Sequence, residues 1–507
     1  MLAHTHTFTV DGLHARHVTV EVDVRNGLPA FSIIGLGDTA VREARERVRA
    51  AILNSGLQFP PRRVTANLAP ADLPKAGPGL DLALACALLA ATGQLPRGRL
   101  ASHALLGELA LDGRVRPAHG TLAVAHAAHR AGLTTLVLAG ARAAEASLIE
   151  GLRVAVADSL RSAVRVLCGG PPDPAPRPAG AGRTAVETPA EPDLEDVRGQ
   201  HQAVRALVIA AAGGHNLLLS GPPGTGKTML ARRMPSLLPP LAGEEALEVT
   251  RVASVAGEPP QGILTRRPFR APHHTVTAAG LIGGAHESHL GEVVLAHNGV
   301  LFLDELSEFR RSALEALRQP LEEGRVAIAR GNHRAVYPAR VILLGATNPC
   351  PCGYAGERER CVCSHGELAR YARRLSGPLL DRLDLVACMY AEAGGASGPP
   401  LTSSARARER VAEARERQRV RLRGETMTVN GLMDASMLRR HAPLGPDGEE
   451  LLRRAGEREM LSPRGQHRAV RVARTIADLA GHDQVGARDL GAAIALRPEA
   501  VLLGGRR

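Results

Sequence analysis

Leu217-Leu218-Leu219-Ser220-Gly221-Pro222-Pro223-Gly224-Thr225-Gly226-Lys227-Thr228-Met229-Leu230-Ala231 decides how this chain is read. An apolar run leads into a glycine-rich turn, and an apolar-periodic segment follows it. That is strand, loop, helix, with G-x-x-x-x-G-K-[ST] across the loop, the pattern of a phosphate-binding loop. Glycines let backbone N–H groups close around phosphate oxygens, and the helix start adds partial positive charge. Gly221 to Thr228 is therefore the expected nucleotide cradle. Lys227 is expected to reach the β- and γ-phosphates, and the Thr228 hydroxyl to ligate magnesium.

A second landmark lies downstream. Gly299-Val300-Leu301-Phe302-Leu303 is an apolar run closed by Asp304-Glu305. After a phosphate loop this reads as a Walker B strand, with Asp304 on the magnesium water shell and Glu305 polarising the attacking water. The spacing from Lys227 is long for one crossover, so an insertion is expected, with residues 268–290 as the candidate. It holds Arg270-Ala271-Pro272-His273-His274-Thr275 and then His286, Glu287 and His289. A metal site and a partly basic loop are both open there, although no spacing matches a zinc pattern. Leu306 to Leu321 reads as one amphipathic helix. Gly331-Asn332 between strand-like runs reads as a hairpin turn. Arg330, His333 and Arg334 crowd its tip, either as a grip on a phosphate backbone or as charges left in water. The strand Arg340 to Asn348 follows, and Asn348 stands where a γ-phosphate sensor belongs.

Cys350-Pro351-Cys352 and Cys361-Val362-Cys363 gather four of the seven cysteines. Four thiolates suit tetrahedral zinc, although the pairs are C-x-C rather than C-x-x-C. A zinc knuckle and a reduced metal-free loop both stay open. Cys86, Cys168 and Cys388 read as small core residues. Arg382, in Leu379-Leu380-Asp381-Arg382-Leu383-Asp384, fits either an arginine finger that reaches a neighbouring subunit's nucleotide, a role that requires an oligomer, or a surface arginine paired with Asp384. From Leu401 the chain reads as helical. Ser462-Pro463 starts a helix as N-cap and first-turn proline, and Arg464, with Arg468 as second choice, fits a lid arginine that senses nucleotide.

The chain has 507 residues, a net charge of +12 and a pI near 10.2. Three domains are a fair prior. The charge suits a polyanion, nucleic acid first and an anionic membrane second, against the alternative of an Arg-rich compositional bias. Trp is absent and aromatics are 2%, which disfavours a single-strand binder that stacks bases on aromatic rings. No run of about eighteen uninterrupted apolar residues occurs, and residues 1–10 lack a signal-peptide apolar region. A cytoplasmic protein without a membrane partner is expected.

The first unit, 1–168, alternates strand-like and helix-like segments, an α/β pattern. Within it, Pro74-Lys75-Ala76-Gly77-Pro78-Gly79-Leu80-Asp81 resembles the segment that carries the nucleophilic serine of the Lon protease domain. Gly107 to Gly132 resembles the segment that carries its catalytic lysine. Gly79 stands in place of the serine and Leu122 in place of the lysine. A Ser-Lys dyad needs a hydroxyl and an amine, so a protease-like fold without the dyad is expected, serving assembly or DNA contact. Residues 169–192, rich in Pro, Gly and Ala, read as a linker.

Taken together, the chain resembles the magnesium-chelatase-like AAA+ ATPases of the YifB/ComM family. The likeness covers nearly the whole chain, including the Lon-like segment, Gly221–Thr228, Arg270–Thr275, Gly299–Glu305, Asn348–Gly353, 376–384 and Ser462–Arg468. It implies an α/β protein in three parts: a Lon-protease-like α/β domain, an AAA+ core at 193–395 and a helical lid at 396–507. It also implies an ATP- and magnesium-dependent hexameric ring acting on DNA, as a helicase or branch-migration factor in recombination or natural transformation. A chelatase-type ATPase that remodels a protein partner is the alternative. An ATP-dependent protease is the third reading, and Gly79 and Leu122 argue against it.

Overall fold

The computed structural model describes the chain apart from residues 36–38, 76, 176–191, 259, 261, 285–289, 331–332, 356–359, 375–376, 391–400, 426, 458–460 and 498–507. It divides into two compact units. One holds residues 1–186, 242–264 and 327–337; the other holds 187–241, 265–326 and 338–507.

In the first unit the strands are Leu2–Asp11 (β1), His14–Arg25 (β2), Ala30–Ile34 (β3), Arg63–Ala69 (β4), His103–Leu106 (β5), the short pair Glu108–Leu109 (β6) and Val115–Arg116 (β7), Thr135–Leu138 (β8) and Arg153–Val156 (β9). Seven of them form a mixed sheet in the order β3-β4-β2-β1-β5-β8-β9. Strand β2 alternates as its sequence predicts: Val18, Val20, Val22 and Val24 are buried and their neighbours less so. The helix Asp81–Ala91 is buried along its whole length. Its first residue, Asp81, accepts from Arg47 Nε at 2.7 Å, Arg47 Nη2 at 3.1 Å and the Leu109 amide at 3.2 Å.

The helix Gly243–Val255, which follows the phosphate loop in sequence, belongs to this first unit. It packs against the helix Thr121–Arg130. Ser254 Oγ donates to Glu145 Oε1, which also accepts from the Leu122 amide at 3.0 Å. Arg142 Nη1 holds the other Glu145 oxygen at 3.2 Å, and Arg251 Nη2 lies 2.6 Å from His126 Nδ1. Burial, then the charge of Arg251, lowers the His126 pKa.

In the second unit, Leu217–Ser220 (β10), Phe269–Arg270 (β11) and Gly299–Leu303 (β12) precede a ribbon of Arg325–Arg330 (β13) and His333–Pro338 (β14), most of which clusters with the first unit. Val341–Thr347 (β15) and Leu385–Cys388 (β16) complete the set. The sheet order is β11-β12-β15-β10-β16, and every pair is parallel. Counted along the chain, this is a 5-1-4-3-2 sheet. Leu217 to Leu219 and Val300 to Leu303 are all buried, the unbroken apolar strands that a sheet covered on both faces needs.

Three expected helices differ. The helix expected after the phosphate loop is two short ones, Lys227–Ala231 and Met234–Leu237, because Pro235 has no N–H to continue the ladder. The predicted helix 306–321 is a 3₁₀ turn, Leu306–Glu308, then Arg311–Ala316 and Arg318–Glu323, since Phe309 and Arg310 are extended. The C-terminal run is several helices, chiefly Ser404–Arg421, Pro446–Glu457, Pro463–Ala480 and Ala487–Ala495. Cys168 is exposed at a helix C-terminus rather than in the core, and Cys388 is half-buried; Cys86 is buried as expected. Among the described residues, no helix is long and apolar enough to cross a membrane.

Candidate nucleotide site

The site lies at the C-terminal ends of β10, β12 and β15. β10 sits between β15 and β16, the crevice where parallel sheets bind ligands. The loop leaves β10 through Gly221. A Cβ there would stand 2.4 Å from the Met389 carbonyl oxygen, so only glycine lets the strand end so close to its neighbour. Gly224 and Gly226 then turn the chain at φ 79° and 85° into the helix Lys227–Ala231.

Lys227 Nζ donates to the carbonyls of Gly221 at 2.6 Å and Pro222 at 2.8 Å, and to Asn348 Oδ1 at 3.0 Å. Its ammonium fills the cradle and bridges the loop to the end of β15. Burial lowers its pKa, against the opposing charges of Asp304 and Glu305. Thr225 Oγ1 closes the loop on the Pro222 carbonyl at 2.9 Å. Thr228 Oγ1 donates to Asp304 Oδ2 at 2.6 Å. A hydroxyl and a carboxylate so close beside a phosphate cradle fit a hydrated magnesium ion.

Glu305 follows in the left-handed region at φ 52°. This turn separates the two acids: Asp304 stays half-buried with Thr228, and Glu305 is exposed. The Glu305 carboxylate meets His274 Nδ1 at 3.4 Å, and the His274 ring lies against His273, 4.0 Å between centroids. The sequence leaves this histidine pair open between a metal site and a basic loop; in the fold it stands against Glu305.

A cavity of about 720 Å³ opens over these residues. Lys227, Thr228, Asp304, Glu305 and Asn348 line it, joined by Arg370, Tyr371 and Arg374 from the helix His365–Arg374. Tyr371 Oη lies 2.8 Å from Ser307 Oγ and donates to the Asn348 carbonyl at 3.1 Å. The sequence signal missed here is the spacing of Glu367, Arg370, Tyr371 and Arg374, which share one helix face.

Likeness to known proteins bears on this arrangement. The sequence model described as magnesium chelatase, subunit ChlI, matches residues 193–395; that of subunit ChlI of Mg-chelatase matches 20–142, and that of the subunit ChlI C-terminal region matches 401–497. YifB of Escherichia coli, itself uncharacterized, is 42% identical over 98% of this chain and 97% of its own length. Competence protein ComM of Haemophilus influenzae is 41% identical over 97% and 96%. An uncharacterized protein of Mycobacterium tuberculosis is 44% identical over 98% of both chains.

The chain belongs to the YifB/ComM family of magnesium-chelatase-like AAA+ proteins.

Its three-part architecture follows: a Lon-protease-like α/β domain, a P-loop α/β core and a helical C-terminal lid. Two partial likenesses agree: a Lon protease of Chloroflexus aurantiacus, 33% identical over 129 residues, and a probable DNA helicase of Arabidopsis thaliana, 28% identical over 188.

The remaining expected residues of this YifB/ComM chain lie elsewhere. Arg382 is buried and pairs with Glu322, not with Asp384. Asp384 is buried with the Asn216 amide at 3.0 Å, His215 Nδ1 at 3.8 Å and Arg468 Nε at 3.9 Å. Burial alone would raise its pKa, but His215, Arg471 and Arg468 more than offset that and hold it low. Arg468 thus ties the lid to the core, while Arg464 is exposed one turn earlier; neither lines the cavity. Ser462 caps the helix as expected, accepting from the Gly465 amide at 3.1 Å. The side chains of Arg330, His333 and Arg334, together with His286, Glu287 and His289, lie outside the described residues.

The four cysteines come together. Cys350, Cys352, Cys361 and Cys363 place their sulfurs within 4.8 Å of one another. In the first unit, Gly79 has no side chain to attack with. Leu122 is buried, its amide donating to Glu145.

Proposed function

We propose that this chain is an ATPase that works as a homo-oligomeric ring, a hexamer, and couples ATP turnover to movement on DNA. The observation that carries the ATPase reading is the convergence of Lys227, Thr228, Asp304, Glu305 and Asn348 at one cavity mouth. The loop amides and Lys227 would bind the phosphates, with the Lys227 ammonium moving from the Gly221 and Pro222 carbonyls onto phosphate oxygens. Thr228 and Asp304 would hold magnesium, which supplies charge neutralisation at the β- and γ-phosphates. Glu305 would orient and deprotonate the attacking water, and Asn348 would hold the γ-phosphate from the opposite side. Arg382 is assigned to a neighbouring subunit's nucleotide, which requires it to leave Glu322, and Arg464 to the lid's reading of the nucleotide.

The DNA reading rests on the charge of +12, on likeness to competence protein ComM and to the probable DNA helicase, and on the basic hairpin tip expected from Arg330 to Arg334. Branch migration is the activity proposed, in the cytoplasm. Missing dyad residues support a first domain without peptidase chemistry. A chelatase-type remodelling ATPase is the second reading, favoured by the chelatase subunit matches in all three segments. ATP turnover measured with and without single-stranded, duplex and forked DNA across a salt series separates the two. Stimulation that fades as salt rises is expected. Turnover indifferent to every DNA would give the protein-remodelling reading the lead.

A further inference from the structure

Cys350, Cys352, Cys361 and Cys363 lie in the segment between β15 and the helix His365–Arg374, and three of the four are only half-buried, so burial alone does not account for them. Cys350 is buried and the others half-buried. The sulfurs are 3.3 Å apart for Cys350–Cys352, 3.7 Å for Cys352–Cys361 and 3.9 Å for Cys350–Cys361. Tetrahedral zinc with Zn–S of about 2.3 Å puts its sulfurs about 3.8 Å apart. All four lie within 4.8 Å, room for one ion and too tight to surround an iron–sulfur cube. The Ala355 amide donates to Cys350 Sγ at 3.2 Å, the outer contact that steadies a thiolate ligand. Arg360, 4.1 Å from the Tyr354 ring centroid, closes the excursion between the two cysteine pairs and brings positive charge beside it.

The cluster is built onto the nucleotide cavity. Cys350 lies two residues after Asn348, whose side chain holds Lys227. The helix that returns Tyr371 to the Asn348 carbonyl starts two residues after Cys363. Gly353 turns at φ 90°, and a Cβ there would stand 2.5 Å from Pro223 Cδ, so the knuckle's backbone rests on the phosphate loop itself. Cys350 and Pro351 line the cavity.

We propose that the four cysteines bind one zinc ion, and that this ion holds Asn348, the phosphate loop and the helix His365–Arg374 in register for nucleotide. The second half rests on the nucleotide reading of the cavity; the first does not. Loss of the ion, or oxidation of its thiolates, then uncouples Asn348 from Lys227 and weakens nucleotide binding.

The test begins with the reduced full-length protein. Metal content by mass spectrometry is expected at about one zinc per chain, falling below about a tenth in the Cys361→Ser/Cys363→Ser variant. Cobalt-reconstituted wild type should show the absorption of a tetrahedral tetrathiolate. To separate metal loss from misfolding of the variant, wild-type zinc is also released with a thiol-specific mercurial and a chelating dye while a fluorescent ATP analogue reports affinity. The expected change is a Kd weakened by about tenfold or more. A chain free of metal, or one carrying iron, overturns the zinc site. Zinc released with Kd unchanged overturns the clamp. If zinc-loaded protein binds no nucleotide at all, the cavity reading fails, and the metal count still decides the site.

Discussion

His274 Nδ1 stands 3.4 Å from the Glu305 carboxylate, although the two residues come from different loops. Glu305 is otherwise exposed and free to rotate, so His274 is what aims it. His274→Ala should lower kcat by about tenfold to a hundredfold with KM nearly unchanged, while His274→Gln should restore part of it. Steady-state ATPase kinetics check this; a matched fall in nucleotide affinity would mean that the histidine binds substrate instead.

Lys227→Ala removes the only charge in the loop that reaches the Gly221 and Pro222 carbonyls, and nucleotide binding should be lost. Glu305→Gln should keep binding and lower turnover by about a hundredfold or more. Equilibrium binding and phosphate release read the two effects separately, and normal turnover in either variant would break that residue's assignment.

Asp81 is buried beside Arg47, and burial raises its pKa from 3.8 to about 6 despite that partner. Between these values the folded chain holds a proton that the unfolded chain has released. The contribution is therefore full below the unfolded value and declines as pH rises through about 6, by about 3 kcal/mol in all. Asp81→Asn should lose this dependence. Denaturant unfolding of both proteins between about pH 4 and pH 7 measures it, and parallel pH profiles would refute it.

Replacing Arg330 and Arg334 with Ala should weaken DNA binding. It should also flatten the salt dependence, by about one unit of log–log slope for each phosphate that is no longer neutralised. Fluorescence anisotropy over a salt series gives both numbers. Unchanged binding would move the grip elsewhere.

Wild-type protein should not hydrolyse fluorogenic peptides, and neither should Gly79→Ser. A Cβ at position 79 would meet Leu106 and Ala118 at 3.4 Å and 3.5 Å, ordinary contact, so the serine should fit. With Leu122 in place of the lysine, the amine that the dyad requires would be missing. Any peptidase activity in the variant would show that another base serves.

The parts of the fold set by local pattern were legible: the alternating β2, the apolar β10 and β12, the loop between Gly221 and Thr228, and the Ser462 cap. So was the grouping of Lys227, Asp304 and Asn348, because each follows the C-terminal end of a strand of one parallel sheet. What escaped depends on contacts between segments far apart in sequence. Nothing in residues 243–255 announces that their buried face meets the helix Thr121–Arg130. The pairing of Arg382 with Glu322 and of Arg468 with Asp384 is likewise set by packing. Arg370 and Arg374 lie on a charge-rich helix, and nothing in its sequence marks which face meets the cavity.

Residues 242–264 and 327–337 lie in the first compact unit, yet they come from the middle of the ATPase sequence. The apparent seam near residue 192 is therefore no place to divide the molecule. A chain begun at 193 would carry Ala246, Val249, Val252 and Val255 with their natural cover removed, and Ser254 without Glu145. It would also leave Arg251 without His126. The chain enters the first unit three separate times, so a truncation at 193 would strip two later segments of part of what they pack against.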